Sequence, residues 1–144
     1  FKRINDMHGH KAGDLALQAL ARIILDRIRK SDIACRYGGE EFVIVMPNTG
    51  LETARDRAEM IREDFRLVDF IGPGTQTETS LSIGIASYPL SGMRGEDVLD
   101  AADQAMYAAK IEGGNRIKLQ TSPVKKADIT LDPTSETKRK KKTE

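Results

Sequence analysis

The sequence predicts an α+β fold, a mixed and largely antiparallel sheet flanked by helices, and three observations predict it. A Gly38-Gly39 pair separates two short apolar runs, Ile33-Ala34-Cys35 and Phe42-Val43-Ile44-Val45-Met46. Two glycines between such runs signal a β-hairpin, because both tolerate positive φ. Three longer stretches carry apolar residues at helical spacing. From Thr79 to Ala86, Thr79, Leu81, Ile83 and Ile85 alternate with smaller residues, the pattern of a strand with one strongly apolar face.

Taken in order, the segment from Asn5 to His10 reads as a short turn-rich stretch. Leu17, Leu20, Ala21, Ile24 and Ile28 then form a stripe that predicts an amphipathic helix from about Lys11 to Lys30. The hairpin follows, with Cys35 expected as a small core residue on its first strand. Thr49 and Glu52 have the spacing of a capping box ahead of Leu51, Ala54, Ala58, Ile61 and Phe65, a second helix with its stripe toward the sheet. Gly72-Pro73-Gly74 breaks the chain before the Thr79–Ala86 strand. A third helix is expected from Glu96 to Glu112 on Val98, Ala102, Ala105 and Ala109. It stops at Gly113-Gly114, and Ile117-Lys118-Leu119 makes a last short strand.

Composition sets bounds on this reading. The 144 residues suit one domain, and 39% hydrophobic content is enough for a single core. A net charge of +1 hides an uneven split: residues 121–144 hold seven Lys/Arg against four Asp/Glu, which leaves sixteen against eighteen in residues 1–120. The folded part is therefore not a basic nucleic-acid binder. Residues 121–144, with Pro123, Pro133 and the run Lys138-Arg139-Lys140-Lys141-Lys142, read as a disordered basic tail behind a domain at 1–120. Cys35 is the only cysteine, so no intrachain disulfide forms and a reducing cytoplasm is the natural setting. No apolar run approaches the roughly 20 residues of a membrane-spanning helix.

The chemistry-bearing feature is Arg36-Tyr37-Gly38-Gly39-Glu40-Glu41-Phe42. Glu40 and Glu41 fall at the hairpin tip, and alternation points them to opposite faces, so one can meet a ligand while the other braces the turn. Adjacent acids beside Gly-Gly also fit an ordinary solvated turn. His8 and His10 alternate without a third ligand, which suits a solvated loop better than a metal pair.

Taken whole, this motif closely resembles the signature of the GGDEF-domain family, the diguanylate cyclases, in its Gly-Gly-Glu-Glu-Phe form. Phe1-Lys2-Arg3-Ile4-Asn5-Asp6, Gly9-His10, Gly13-Asp14, Ser82-Ile83-Gly84-Ile85-Ala86 and Ala102-Asp103-Gln104-Ala105-Met106-Tyr107-Ala108-Ala109-Lys110 resemble family blocks in family order. The resemblance covers about residues 1–120 and implies a fold like polymerase palms and class III nucleotide cyclases. It also implies a strand ahead of Phe1, internal to the sheet, that carries a metal-ligating aspartate with a second acid close by. This first strand is missing from the chain as written, which makes the chain alone a doubtful enzyme.

The implied reaction is condensation of two GTP molecules, one on each of two facing domains, into cyclic di-GMP with release of two pyrophosphates. Such phosphoryl transfer needs positioning and charge neutralisation, supplied in the family by a pair of Mg²⁺ (or Mn²⁺) ions per active half-site. By this resemblance Glu40 is the metal ligand and proton acceptor, with Glu41 supporting it, and Gly38 and Gly39 let substrate approach the backbone. Asn5 and Asp14 would read the guanine base, with His10 near ribose or base; a carboxylate suits the guanine N1 and N2 donors and repels the bare N1 of adenine. Without the resemblance, Asn5 and Asp14 read as turn caps.

Phosphate gripping is where the chain departs from the family. Ala109-Lys110-Ile111-Glu112-Gly113-Gly114-Asn115 keeps the lysine but has Gly114 where the family often has arginine. Arg116 or the backbone amides of Gly113 and Gly114 are the substitutes, and Lys2 is a further candidate. Arg29-Lys30-Ser31-Asp32 is separated by five residues from Gly38, the register of the family's inhibitory product site. Arg29 would fork onto guanine O6 and N7 while Asp32 takes the N1 and N2 edge. A further arginine expected from the next helix falls at Met60, leaving Arg57 or Arg62 as stand-ins. The resemblance thus implies a cytoplasmic homodimer under an upstream sensory module, either free or as the cytoplasmic part of a membrane-anchored sensor. The alternative is a non-catalytic cyclic di-GMP receptor that uses Arg29 and Asp32.

Overall fold

The computed structural model describes residues 2–72 and 79–123. Pro73, Gly74 and the basic tail beyond Pro123 lie outside the described residues, so the expected disorder of the tail has no structural counterpart here. In chain order the elements are α1 (Lys2–His8), α2 (His10–Arg27), β1 (Ile33–Arg36), β2 (Phe42–Val45), α3 (Leu51–Leu67), β3 (Ser82–Ala86), α4 (Gly95–Ile111) and β4 (Arg116–Gln120). The mixture of helix and strand is the α+β class expected from the sequence.

The first correction is α1. The stretch read as turn-rich is a short helix that buries Ile4 and ends where Gly9 takes φ 80°. Gly9 donates its N–H to the Asn5 carbonyl at 2.8 Å, and its own carbonyl accepts from Ala12 at 3.0 Å, so one residue ends α1 and begins α2. Only glycine adopts that conformation without strain.

Packing follows the helical stripes. Ile4, Ala12, Ala16, Leu20, Ile24, Ile61 and Phe65 form the buried cluster, and Ala34, Phe42, Ile44 and Leu81 pack against it. Each large side chain buried there contributes about 1.5–3 kcal/mol. Cys35 is a second correction: it is exposed, because it alternates with Ala34, the β1 residue that faces the cluster. The Thr49 capping box is a third. Gly50 is the N-cap of α3 with no side-chain cap bond, and the Thr49 hydroxyl donates instead to the Pro47 carbonyl at 3.2 Å.

The strands form two separate ladders among the described residues. β1 and β2 pair antiparallel, Arg36 opposite Phe42 and Ile33 opposite Val45. β3 and β4 pair parallel, Ser82 opposite Arg116 and Ala86 opposite Gln120. Half of the observed pairing is thus parallel, where a largely antiparallel sheet was expected. The reason is α4, which carries the chain back across the ladder so that β4 runs alongside β3.

Gly84 fixes the closeness of that crossover. A Cβ built there would lie 1.9 Å from the Ala102 carbonyl oxygen and 2.4 Å from the Met106 nitrogen. Ala101, Ala105 and Ala109 are buried on α4, small enough to permit this approach. The α3 face and the α4 face are thereby positioned against the same pair of strands.

Candidate active site

The site is built on the β1–β2 hairpin. Tyr37 and Gly38 both donate their N–H groups to the Glu41 carbonyl, at 2.8 and 3.3 Å, which closes the loop that holds the two acids. Arg36 adds a clamp that sequence reasoning missed: its Nε and one terminal nitrogen donate to the Gly39 carbonyl at 3.1 and 2.5 Å. Nothing in the spacing marks that arginine as a turn brace, since the contact depends on the loop's own shape.

The two carboxylates have different surroundings. Glu40 is exposed and takes no hydrogen bond or ion pair among the described residues. Glu41 folds back over the turn, so that a Cβ added at Gly38 would meet its Oε2 at 2.9 Å. Its Oε1 stands 4.0 Å from Lys110 Nζ on the last turn of α4. Glu41 thus lies against the turn and toward Lys110, while Glu40 stands clear of both.

Asn5 sits partly buried on α1, with its Oδ1 buried and without a hydrogen-bond partner among the described residues. An orphaned buried oxygen is costly unless a ligand completes it. Asp14 lies exposed on α2, which packs against α1 across the Gly9 corner. His10 and Lys2 are exposed at the starts of α2 and α1.

Arg116 is not brought to the hairpin by any described contact. It donates to the Gly114 carbonyl and to Glu112 Oε2, each at 3.1 Å. Lys118 also holds Glu112 Oε2 at 2.7 Å, and these two cations, Lys118 first, keep the Glu112 carboxyl below its usual range. Arg116 instead lines a shallow groove of about 390 Å³ with Arg55, Glu59, Arg62 and Asn115. The amides of Gly113 and Gly114 are committed as well. They donate back to Lys110 and Ala109 at 3.2 and 2.9 Å, a Schellman end to α4 made possible by φ values of 107° and 71°. Those amides are thus not free for a phosphate, which corrects that expectation.

At the Arg29–Asp32 turn, Asp32 Oδ2 accepts the Arg29 N–H at 2.8 Å and an Arg57 nitrogen at 2.9 Å. Of the two expected stand-ins, Arg57 is the one beside Asp32. Arg62 is held by Glu59, Glu63 and Asn115, and its hydrogen bond keeps the Glu59 carboxyl low. Met60 is exposed.

The geometry is that of an α+β domain carrying an acidic Gly-Gly hairpin with a lysine alongside. The comparisons specify its family. Residues 1–116 match the family described as diguanylate cyclase, GGDEF domain, and the chain belongs to that family. It is 38% identical over 127 residues to diguanylate cyclase A of Treponema denticola, covering 88% of this chain and 34% of that protein. It is 41% identical over 117 residues to diguanylate cyclase DgcM of Escherichia coli K12, covering 81% and 28%. The chain therefore spans about a third or less of these relatives. Among solved structures, the GGDEF domain of YfiN (or TpbB) from Pseudomonas aeruginosa superposes with TM-score 0.76 at 37% identity, covering 83% of this chain and 74% of that one. The active GGEEF domain of a diguanylate cyclase from Vibrio cholerae does so at 0.68 and 35%, covering 83% and 75%.

The donor set at the hairpin suits a divalent cation. No group of three or more His, Cys, Asp or Glu residues converges among the described residues. Two adjacent carboxylates are nevertheless what Mg²⁺ commonly takes from a protein, the remainder coming from substrate phosphates and water. Of the two, Glu40 is exposed and without a partner among the described residues, whereas Glu41 already faces Lys110.

Proposed function

We propose that the protein containing this domain is a diguanylate cyclase that condenses two GTP into cyclic di-GMP and two pyrophosphates. The free, exposed Glu40 on a braced Gly-Gly turn carries this reading, together with the family membership. Glu40 holds metal and accepts the proton of the attacking ribose 3′-hydroxyl, and Glu41 supports it. Mg²⁺ or Mn²⁺, two per half-site, would supply charge neutralisation of the triphosphate. Lys110 and Lys2 contact phosphates, while Asn5 and Asp14 select guanine and His10 stands near the ribose or base.

Because each half-site holds one GTP, the working unit is a homodimer, brought together by an upstream sensory module. Its need for GTP places the domain in the cytoplasm, free or tethered to a membrane sensor. The two unjoined ladders support a further strand between them in the full protein, the position from which the resemblance expects an acid. Arg29 and Asp32 form an inhibitory product site, a reading supported by the buried and unpartnered Asp32 Oδ1.

The test of base selection is competition at fixed Mg²⁺. GTP consumption by the full-length protein should resist a hundredfold excess of ATP, and ATP inhibiting as well as unlabelled GTP would overturn the guanine assignment.

A further inference from the structure

Asp32 is the most enclosed acid of the described residues: its side chain is 0% exposed, against 14% for Arg57. Its Oδ2 already serves two donors, the Arg29 N–H and Arg57, and its Oδ1 is sealed from water with no partner. A guanine edge offers two parallel N–H donors and needs both oxygens of a carboxylate. In this arrangement Oδ2 is taken and only the buried Oδ1 is left to receive a donor, so the two oxygens are not offered together. Met60, one turn further along α3, is apolar and exposed, so it competes for nothing.

Resting on the product-site reading above, we infer that Arg57 is a latch over Asp32. The product reaches the carboxylate only when the Arg57 guanidinium swings out, so the ligand-free protein spends part of its own binding energy on itself. The affinity of the site is then reduced to the fraction of molecules with the latch open. Arg57 belongs to α3, so product binding is coupled to a side chain of that helix as well as to the turn that carries Arg29.

Two measurements decide this. Calorimetric titration of cyclic di-GMP into the full-length protein and its Arg57→Met variant should show about tenfold tighter binding by the variant. Equal or weaker binding would overturn the latch and make Arg57 a ligand or a bystander. If neither form binds, the product-site reading fails and the latch with it. Removing Arg57 strips the buried Asp32 of its counter-charge and endangers the fold. The second measurement therefore uses the unmodified protein. Saturating cyclic di-GMP should release the Arg57 guanidinium and move its Nε–H resonance toward that of a free arginine side chain, because the bond to Asp32 Oδ2 is given up; an unchanged Arg57 resonance at saturation would overturn the proposal.

Discussion

Lys110 Nζ stands 4.0 Å from Glu41 Oε1, so the last turn of α4 and the motif hairpin meet although they are far apart in sequence. Both side chains are about half exposed, at 48% and 45%, and such a pair contributes at most about 1 kcal/mol. Its value lies in placing a cation beside the acids. Lys110→Met should raise the KM for GTP about tenfold, the equivalent of about 1.4 kcal/mol, with little change in the unfolding midpoint. A lowered midpoint with an unchanged KM would make the lysine purely structural.

Asn5 offers a separation of fold from recognition. Its Oδ1 is buried without a partner, so the apo fold gains nothing from it. Asn5→Leu should leave stability unchanged or slightly raised, yet cut kcat/KM for GTP on the order of a hundredfold, as loss of a substrate-directed hydrogen bond does. Denaturant unfolding beside steady-state kinetics checks both halves.

Of the described glycines, Gly84 leaves the least room for a side chain. Gly84→Ala would drive a methyl into the Ala102 carbonyl at 1.9 Å, and backbone cannot yield as a flexible side chain does. We expect a loss of about 3 kcal/mol or more in urea unfolding, or insoluble protein. A variant within 0.5 kcal/mol of the parent, on the order of an ordinary surface change, would show that α4 sits less closely on β3.

Most of this architecture was legible because a few residues carry strong local signals. Gly38-Gly39 between apolar runs placed the hairpin, and stripes such as Leu20, Ile24 and Ile61, Phe65 placed α2 and α3. The α1 helix was hidden because only Ile4 of its residues is buried and Asn5 and Asp6 read locally as turn formers. Cys35 was misplaced because four residues of strand give no hint of which alternate face is covered. Within the site, Glu40, Glu41 and Lys110 were readable from pattern. Arg57 was one of two arginines expected beside Asp32, and tertiary approach decided between them; the Arg36 clamp and the committed Gly113 and Gly114 amides were not readable, since they depend on loop shape and on φ values that sequence leaves open.

Glu112 sets an acid limb. Lys118 and then Arg116 hold its folded carboxyl low, so its contribution is present above the unfolded carboxylate pKa of about 4.3 and is lost as pH falls through the lower folded value. Glu112→Gln should lower the melting temperature slightly at neutral pH and leave it unchanged at low pH, so that the fall below about pH 4.3 is flatter. An unaltered acid limb would mean that the pair does not persist in solution.

The most direct measurement is cyclic di-GMP formed from GTP and Mg²⁺ by the full-length protein and by its Glu40→Gln variant, with circular dichroism on both. Turnover by the parent and a loss on the order of a thousandfold in a folded variant is the result expected of an exposed carboxylate that holds the metal. Equal turnover by Glu40→Gln, or no product from the parent while cyclic di-GMP still binds, would contradict the catalytic assignment and leave a receptor in its place.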